Sequence, residues 1–290
     1  MSLSCAAFDY VRQVVYADSA IVLEPGKEYL VESRLVPLAR ARGNPDVTVF
    51  VAAAQRSGDR EVRRLIVEAL TTNETSWFRD AILWTGLREH VLPALARTRA
   101  VGRRLSVWSA ACSSGQETYS LAMMLADQLP GTDWSLDLLG TDLSEQMLAR
   151  ARSGRYSQLE INRGLPAPML VRHFVREGTD WLISPALRER VTFRQLNLAT
   201  AFPPLPRFDL VLLRNVLIYL DAETKRAILR RVRSVMVPDG YLVLGAAETT
   251  IGLDESWVRE DIGGTAVYRP GTTASVSELF ADFSQTGVTH

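Results

Sequence analysis

A mostly parallel α/β sheet preceded by an all-helical unit is the fold class this sequence predicts, and three observations predict it. Apolar residues keep helical spacing through four separate runs before residue 72, with no strand-like alternation between them. From about residue 105, short β-prone runs alternate with helical ones. That order lays parallel strands side by side and covers both faces of the sheet with helices. The first of these strands leads into a run of small residues, Ala110 to Gly115, that opens a helix.

Phe8, Val11, Val14 and Val15 mark the first helix, and Leu30, Val31, Leu35 and Leu38 the second. Val47 to Ala54 marks a third, and Val62, Leu65, Ile66, Ala69 and Leu70 a fourth, after breaks at Gly43-Asn44-Pro45 and Ser57-Gly58-Asp59. Leu105 to Trp108 reads as the first strand and Glu117 to Leu129 as the helix after it. Leu136 to Gly140 is a second strand, followed by a helix from Ser144 to about Ser153. Val191 to Gln195 and Phe208 to Leu213 are further strands, the latter buried. Ala222 to Met236 is a long helix, with strands at Gly240 to Gly245 and Thr265 to Tyr268. Between Tyr156 and Arg190 the alternation fails. Pro166, Pro168 and Pro185, with a hairpin signal at Gly178-Thr179-Asp180, mark an insertion there. The expected organisation is a helical domain over 1–72, an α/β domain over 73–270 carrying the insertion at about 156–190, and a loose Ser/Thr-rich tail over 271–290.

Composition narrows the function. The 290 residues are 47% hydrophobic and 23% charged, which argues against disorder. Basic and acidic side chains balance at 33 each. A protein built to neutralise phosphate backbones carries a basic excess, so no nucleic-acid partner is expected. The longest apolar run, Phe208 to Leu220, is broken by Asp209, Arg214 and Asn215, and falls short of the roughly 18 residues a membrane span needs. Asp9 near the start, with no basic stretch ahead of an apolar one, argues against a signal peptide. Two cysteines (Cys5, Cys112) and three scattered histidines (His90, His173, His290) make neither a disulfide scaffold nor a metal cluster. A cytoplasmic monomer without membrane insertion or metal is expected.

In an open parallel sheet, ligands bind beyond the carboxyl ends of the strands, where strand order reverses. The first such end is Ser109 to Glu117, whose small side chains let the backbone approach a ligand. It has neither the G-x-G-x-x-G of dinucleotide sites nor the Gly-Lys-Ser/Thr of a P-loop. The second strand ends at Asp142, which can accept two hydrogen bonds from ribose hydroxyls or can cap the next helix. Together with the small-residue loop, it points to a nucleoside site. The buried strand from Phe208 delivers Arg214 and Asn215 at its carboxyl end. Groups of that polarity need a partner, either a ligand or an acid such as Glu117 or Asp142. Thr71 to Arg79 joins the two units; Thr71 and Glu74 fit the spacing of a capping box, and Asn73, Thr75 and Arg79 stand where interdomain ligand sites form.

These residues fall in four stretches that resemble the CheR family: Asn73 to Arg79, Val107 to Ala122, Thr141 to Ser144, and Leu213 to Tyr219. The family's members are S-adenosylmethionine-dependent glutamate methyltransferases of bacterial chemoreceptors. Four motifs in the family's order, across residues 8 to 270, make the match specific. The resemblance implies a helical N-terminal domain and a Rossmann-like methyltransferase sheet with a small inserted β-subdomain. It places the donor on Asn73, Thr75, Arg79, Glu117, Asp142, Asn197, Leu198, Arg214 and Asn215, with S-adenosylhomocysteine as product. The implied partner is the cytoplasmic domain of a chemoreceptor, a methyl-accepting protein.

The implied acceptor is a glutamate carboxylate, already ionised at neutral pH with a pKa near about 4.3. No general base is therefore named; alignment and desolvation carry the rate. Tyr219 and Arg214 are candidates to steer the acceptor. Three departures from the family pattern stand out. Trp77 replaces a Phe and Gln116 a Glu. The insertion is short between Phe174 and Phe193, so no docking of a receptor-tail peptide is expected; micromolar binding of such a peptide would contradict this. The first 72 residues balance nine basic against nine acidic side chains, leaving Arg34, Arg40 and Arg42 as the one acid-free cluster for an acidic receptor face. A methyltransferase for another acceptor, and a donor-binding scaffold without turnover, are the competing readings.

Overall fold

The computed structural model describes residues 3–129 and 134–271. The expected tail beyond Gly271 lies outside the described residues. Four helices build the N-terminal unit: α1 (Cys5–Ser19), α2 (Glu28–Ala41), α3 (Val47–Ser57) and α4 (Arg60–Leu70). Side chains of Ser4, Asp46 and Asp59 accept the first free amides of α1, α3 and α4, as good N-caps do. Val11, Val15, Val31, Leu35, Val51 and Ile66 are fully buried between them. The helical spacing of those residues is what turns them to one core.

The rest of the described chain runs α5 (Ala81–Gly86), α6 (Leu92–Thr98), β1 (Arg104–Ala110), α7 (Gln116–Gln128), β2 (Ser135–Asp142) and α8 (Glu145–Ser153). The inserted piece follows as β3 (Arg155–Ser157), α9 (Gln158–Ile161), α10 (Ala167–His173), β4 (Phe174–Glu177), β5 (Asp180–Ile183) and α11 (Pro185–Arg188). Then come β6 (Val191–Gln195), β7 (Phe208–Leu213), α12 (Ala222–Ser234), β8 (Met236–Leu244), β9 (Trp257–Ile262) and β10 (Thr265–Pro270). Seven strands form one sheet in the order β6-β2-β1-β7-β8-β10-β9. Neighbours from β6 to β8 are parallel, and β10 is antiparallel to both β8 and β9. One face carries Leu105, Val107, Leu210 and Leu212 against α5 to α8; the other carries Trp108, Val211 and Leu213 against α12. Burial on both faces explains why these strands read as continuous apolar runs.

The insertion is a three-stranded antiparallel sheet, β3-β5-β4, whose β4–β5 turn is Gly178-Thr179. Trp77, 1% exposed, fastens it to the chain entering the sheet unit. Its ring meets Tyr156 edge-on at 4.8 Å and Phe174 at 5.5 Å, and its amide donates to Arg163 O at 3.1 Å. Gly164 (φ +99°) sits under it; a Cβ there would lie 2.3 Å from Trp77 O.

The structure corrects several element readings. Residues 81–98 form a helix that the sequence reading left unassigned, with a π-helical segment at Leu87–Val91. Pro93, with no N–H to offer the ladder, follows that segment, and a π-bulge accommodates such a gap. The long helix ends at Ser234, and β8 begins at Met236, four residues before Gly240. Pro238-Asp239-Gly240 lies in β8 beside a strand irregularity, with Asp239 held by the two terminal Arg99 nitrogens at 2.8 and 2.6 Å. β9 was missed because its Arg259, Glu260 and Asp261 give an edge strand no apolar alternation. No helix starts at Thr71: it is the C-cap of α4, and the capping box expected with Glu74 is absent. Residues 72–76 belong to no helix or strand.

Candidate active site

Strand order reverses between β1 and β7, so the carboxyl ends of β1, β2 and β7 open one crevice. Ser19 and Ile21, at the end of α1, and residues 71–76 supply its facing wall. The cleft encloses about 980 Å³ including its mouth, within the range of small-ligand sites. All nine residues predicted to hold the donor line it, as does Tyr219.

The backbone around this cleft is strained. Phe78, Asp80, Ala111, Ser113 and Asn215 all have φ between 46° and 66° without being glycine, a conformation that side chains disfavour and that collects at functional sites. Gly115 (φ +92°) closes the small-residue loop, and a Cβ on it would lie 2.9 Å from Ala151 Cβ. Within the loop, the Ser113 amide donates to Asp142 Oδ2 at 2.7 Å and the Ser113 hydroxyl donates to Asn73 O at 2.8 Å. The loop therefore ties β1, β2 and the linker to one another.

Asp142 is buried, and that burial pushes its carboxyl above the usual aspartate range. It does not cap α8: Ser144 does, accepting from Met147 N at 3.2 Å. Its second oxygen takes the Ser144 amide at 2.9 Å. Each carboxylate oxygen thus receives one backbone N–H and keeps acceptor capacity for a ligand.

Glu117, in the first turn of α7, accepts the Ser109 hydroxyl at 2.8 Å and Arg214 at 2.7 Å. Arg214, its side chain 1% exposed, also reaches Asp80 at 2.5 Å and Arg79 O at 3.0 Å. The structural ion pair to Glu117 is therefore present, and Arg214 enters the cleft already matched by two carboxylates. Arg79 is different. No described carboxylate lies within ion-pairing distance of it, and among the described residues its guanidinium makes one hydrogen bond, a long one to Glu74 O at 3.5 Å. The side chains of Asn73 and Thr75 have no hydrogen-bond partner among the described residues. Asn197 spans the two units, donating to Asp18 O at 2.7 Å and accepting from Ala199 N at 2.9 Å. Leu198 is buried, and its carbonyl accepts from Arg231 at 2.8 Å.

Asn215 is held by a residue the sequence reading overlooked. The Glu248 carboxylate accepts the amides of Asn215 (2.7 Å), Val216 (2.9 Å), Leu217 (2.7 Å), Ile218 (3.3 Å) and Gly245 (2.7 Å). It thereby caps the single 3₁₀ turn, Leu217–Tyr219, that carries Tyr219. A signal existed, since Glu248 lies four residues past the end of β8, beside β7. Asp80, Asp18 and Glu68 were also overlooked; only the folded chain sets them against Arg214, Asn197 and Ser144. Arg34 of the expected basic cluster is tied to the end of α4, its guanidinium donating to Leu70 O, Thr71 O and Thr72 Oγ1 at 3.1, 2.7 and 3.3 Å. Arg40 and Arg42 are exposed.

Among the described residues, no helix is long and apolar enough to cross a membrane. Nor does any group of three or more His, Cys, Asp or Glu side chains there suit a metal ion.

Comparison with known proteins agrees with the fold. Residues 73–261 match the family described as CheR methyltransferase, SAM binding domain. Residues 6–71 match CheR methyltransferase, all-alpha domain. The chain is 41% identical over 277 residues to Chemotaxis protein methyltransferase 1 of Pseudomonas aeruginosa, covering 93% of this chain and 99% of the relative. It is 39% identical over 262 residues to Chemotaxis protein methyltransferase Cher2 of Pseudomonas putida, covering 89% and 95%. A Vibrio parahaemolyticus chemotaxis protein methyltransferase is 38% identical over 242 residues, covering 82% and 86%. With a helical unit ahead of a doubly covered sheet, a small inserted β-sheet, and matches spanning both units, this chain belongs to the CheR family of S-adenosylmethionine-dependent methyltransferases.

Proposed function

We propose that this enzyme transfers the donor's methyl group to glutamate side-chain carboxylates in the cytoplasmic domains of chemoreceptors, forming methyl esters in the cytoplasm. The observation that carries the reading is the division of charge in the cleft. Arg214 is neutralised by Glu117 and Asp80, whereas Arg79 stands in the wall with no acid against it. A single unmatched cation suits an anionic acceptor, and a carboxylate is one. S-adenosylmethionine, when bound, supplies a methyl group on a sulfonium, which an ionised carboxylate can attack without a base.

The residues present fit that donor. The Asp142 carboxylate, fixed by the Ser113 and Ser144 amides, is built to accept the two ribose hydroxyls. Glu117, ion-paired with Arg214 at 2.7 Å, faces the donor's amino group. Asn73, Thr75, Asn197, Leu198 and Asn215 complete the enclosure, and Glu248 keeps Asn215 and the Tyr219 turn in place. In this reading Arg214 holds Glu117 rather than the acceptor, and Arg79, which the resemblance places on the donor, is given to the acceptor instead: with Tyr219 it steers the incoming carboxylate. The chain's contribution to rate is alignment and exclusion of water. The domains are then the helical unit to residue 72 and the sheet unit from residue 73, meeting at the donor cleft. The two-residue turn between β4 and β5 supports the expectation that no receptor-tail peptide docks there.

Incubation with methyl-labelled donor and receptor cytoplasmic domains should yield base-labile methyl esters that release labelled methanol. Arg79→Ala is expected to lower kcat/KM for the receptor by roughly 10- to 100-fold, the worth of one charged hydrogen bond, with donor affinity held within a few-fold; a matching loss of donor affinity would return Arg79 to the donor's own carboxylate. Label appearing only on a small carboxylic acid or a nucleic acid would favour another acceptor. Donor binding with no transfer to any acceptor would favour a scaffold.

A further inference from the structure

We infer that Glu68, on the helical unit, is a positioning residue for the donor: it sets the carboxylate of Asp142 through Ser144, and so makes donor affinity depend on how the helical unit is seated. The inference rests on the donor reading given above and extends it to a residue outside the cleft.

Glu68 lies in the last turn of α4, with its side chain 12% exposed. Its Oε1 accepts the Ser144 hydroxyl at 2.9 Å and the Gln146 amide at 3.1 Å, at the start of α8 on the sheet unit. The amide of the same Ser144 donates to Asp142 Oδ1 at 2.9 Å. Asp142 therefore has one oxygen held by its own loop partner, Ser113, and the other by a residue that the helical unit holds. Ser144 cannot shift without moving that amide.

A second bond between the units ends in the same cleft. Asp18 O, at the end of α1, accepts from Asn197 at 2.7 Å, and the Asp18 carboxylate takes Arg63 at 2.6 and 2.5 Å. Neighbouring residues on α4 thus orient both attachments: Arg63 holds Asp18, and Arg64 holds Glu68 at 2.9 Å. A carboxylate at Glu68 works against the charge on Asp142. The contacts to Ser144 and Gln146 require only an acceptor atom, which an amide oxygen supplies as well. The geometry, not the charge, is what Glu68 contributes.

The test is calorimetric titration of the full chain with S-adenosylhomocysteine, together with steady-state methylation. Glu68→Ala is expected to weaken binding about tenfold and to raise the donor KM similarly, with kcat at saturating donor within about twofold of wild type. Glu68→Gln should restore affinity to within about twofold. Adding Ser144→Ala to Glu68→Ala should cost little beyond Ser144→Ala alone, because both act along one path. A Glu68→Ala protein that melts earlier yet binds with wild-type affinity would overturn the relay, as would full additivity of the pair. If Glu68→Ala does not fold, Glu68→Asp keeps the charge and withdraws the carboxylate by one methylene. A loss of threefold or more there supports the relay, and unchanged affinity refutes it. Failure of the wild type to bind S-adenosylhomocysteine would instead remove the donor reading, and this proposal with it.

Discussion

Arg214→Ala is expected to lower the unfolding free energy by about 3–5 kcal/mol, the usual penalty for deleting one partner of a buried ion pair, and to abolish measurable donor binding. The guanidinium is 1% exposed and reaches Glu117, Asp80 and Arg79 O together. Its removal leaves Glu117, whose side chain is 13% exposed, charged in the cleft without a counterion. It also frees Asp80, whose φ of 66° depends on being held. Arg214→Lys should recover little, since a single ammonium cannot match the planar fork that spans two carboxylates and a carbonyl. Urea midpoints at unchanged slope measure the first effect, and calorimetry the second. A loss under about 1 kcal/mol with donor binding intact would show Arg214 to be a bystander.

Asp142→Ala is expected to weaken donor binding by about 100-fold, since two hydrogen bonds to a charged acceptor are worth about 3 kcal/mol or more. The wild type should show a related pH dependence. Burial raises the Asp142 pKa in the folded, donor-free protein, so the carboxyl takes up a proton at a higher pH than an ordinary aspartate. Protonation removes acceptor capacity, and donor affinity should fall as the solution is acidified through that value. For folding the sign runs the other way. A group with a raised folded pKa contributes stability as pH falls through that pKa, and loses the contribution as pH rises. Acidification should therefore weaken donor binding before this group does any harm to the fold. Donor affinity that stays flat down to the pKa of an ordinary aspartate, or an Asp142→Ala protein binding as tightly as wild type, would contradict this account.

Much of the site was legible before folding because strand ends are legible. A buried strand shows as an apolar run, and the polar residues that stop it stand at its carboxyl end, where Asp142 and Arg214 lie. The capping reading of Thr71 and Glu74 failed for a local reason. The spacing fits, but the chain there is drawn out along the cleft, with Asn73 O bonded to Ser113 and the Trp77 ring packed on the insertion. Charged edge strand β9 was invisible because Trp257 alone of its residues is buried and its neighbour β10 supplies the pairing. Glu248 was passed over because its place just past β8 hints at a role, yet nothing local shows that it serves five amides, four of them about 30 residues away.

The balance of 33 basic and 33 acidic residues, the helical periodicity to residue 72, the strand–helix alternation and the polar strand ends belong to the sequence alone. They reflect short-range rules, spacing and burial, that hold wherever the segment ends up. Which charges remain unmatched was decided by the tertiary structure. Arg214 and Arg79 are both cations beside the same cleft, yet only folding sets Glu117 and Asp80 against one and no acid against the other. Likewise Arg34 spends its donors on the end of α4, and Glu68 reaches Ser144 across the join between the units. Pairing of this kind depends on distances of a few ångströms between residues as far apart in the chain as Asn197 and Asp18, 179 positions, and no local pattern encodes them.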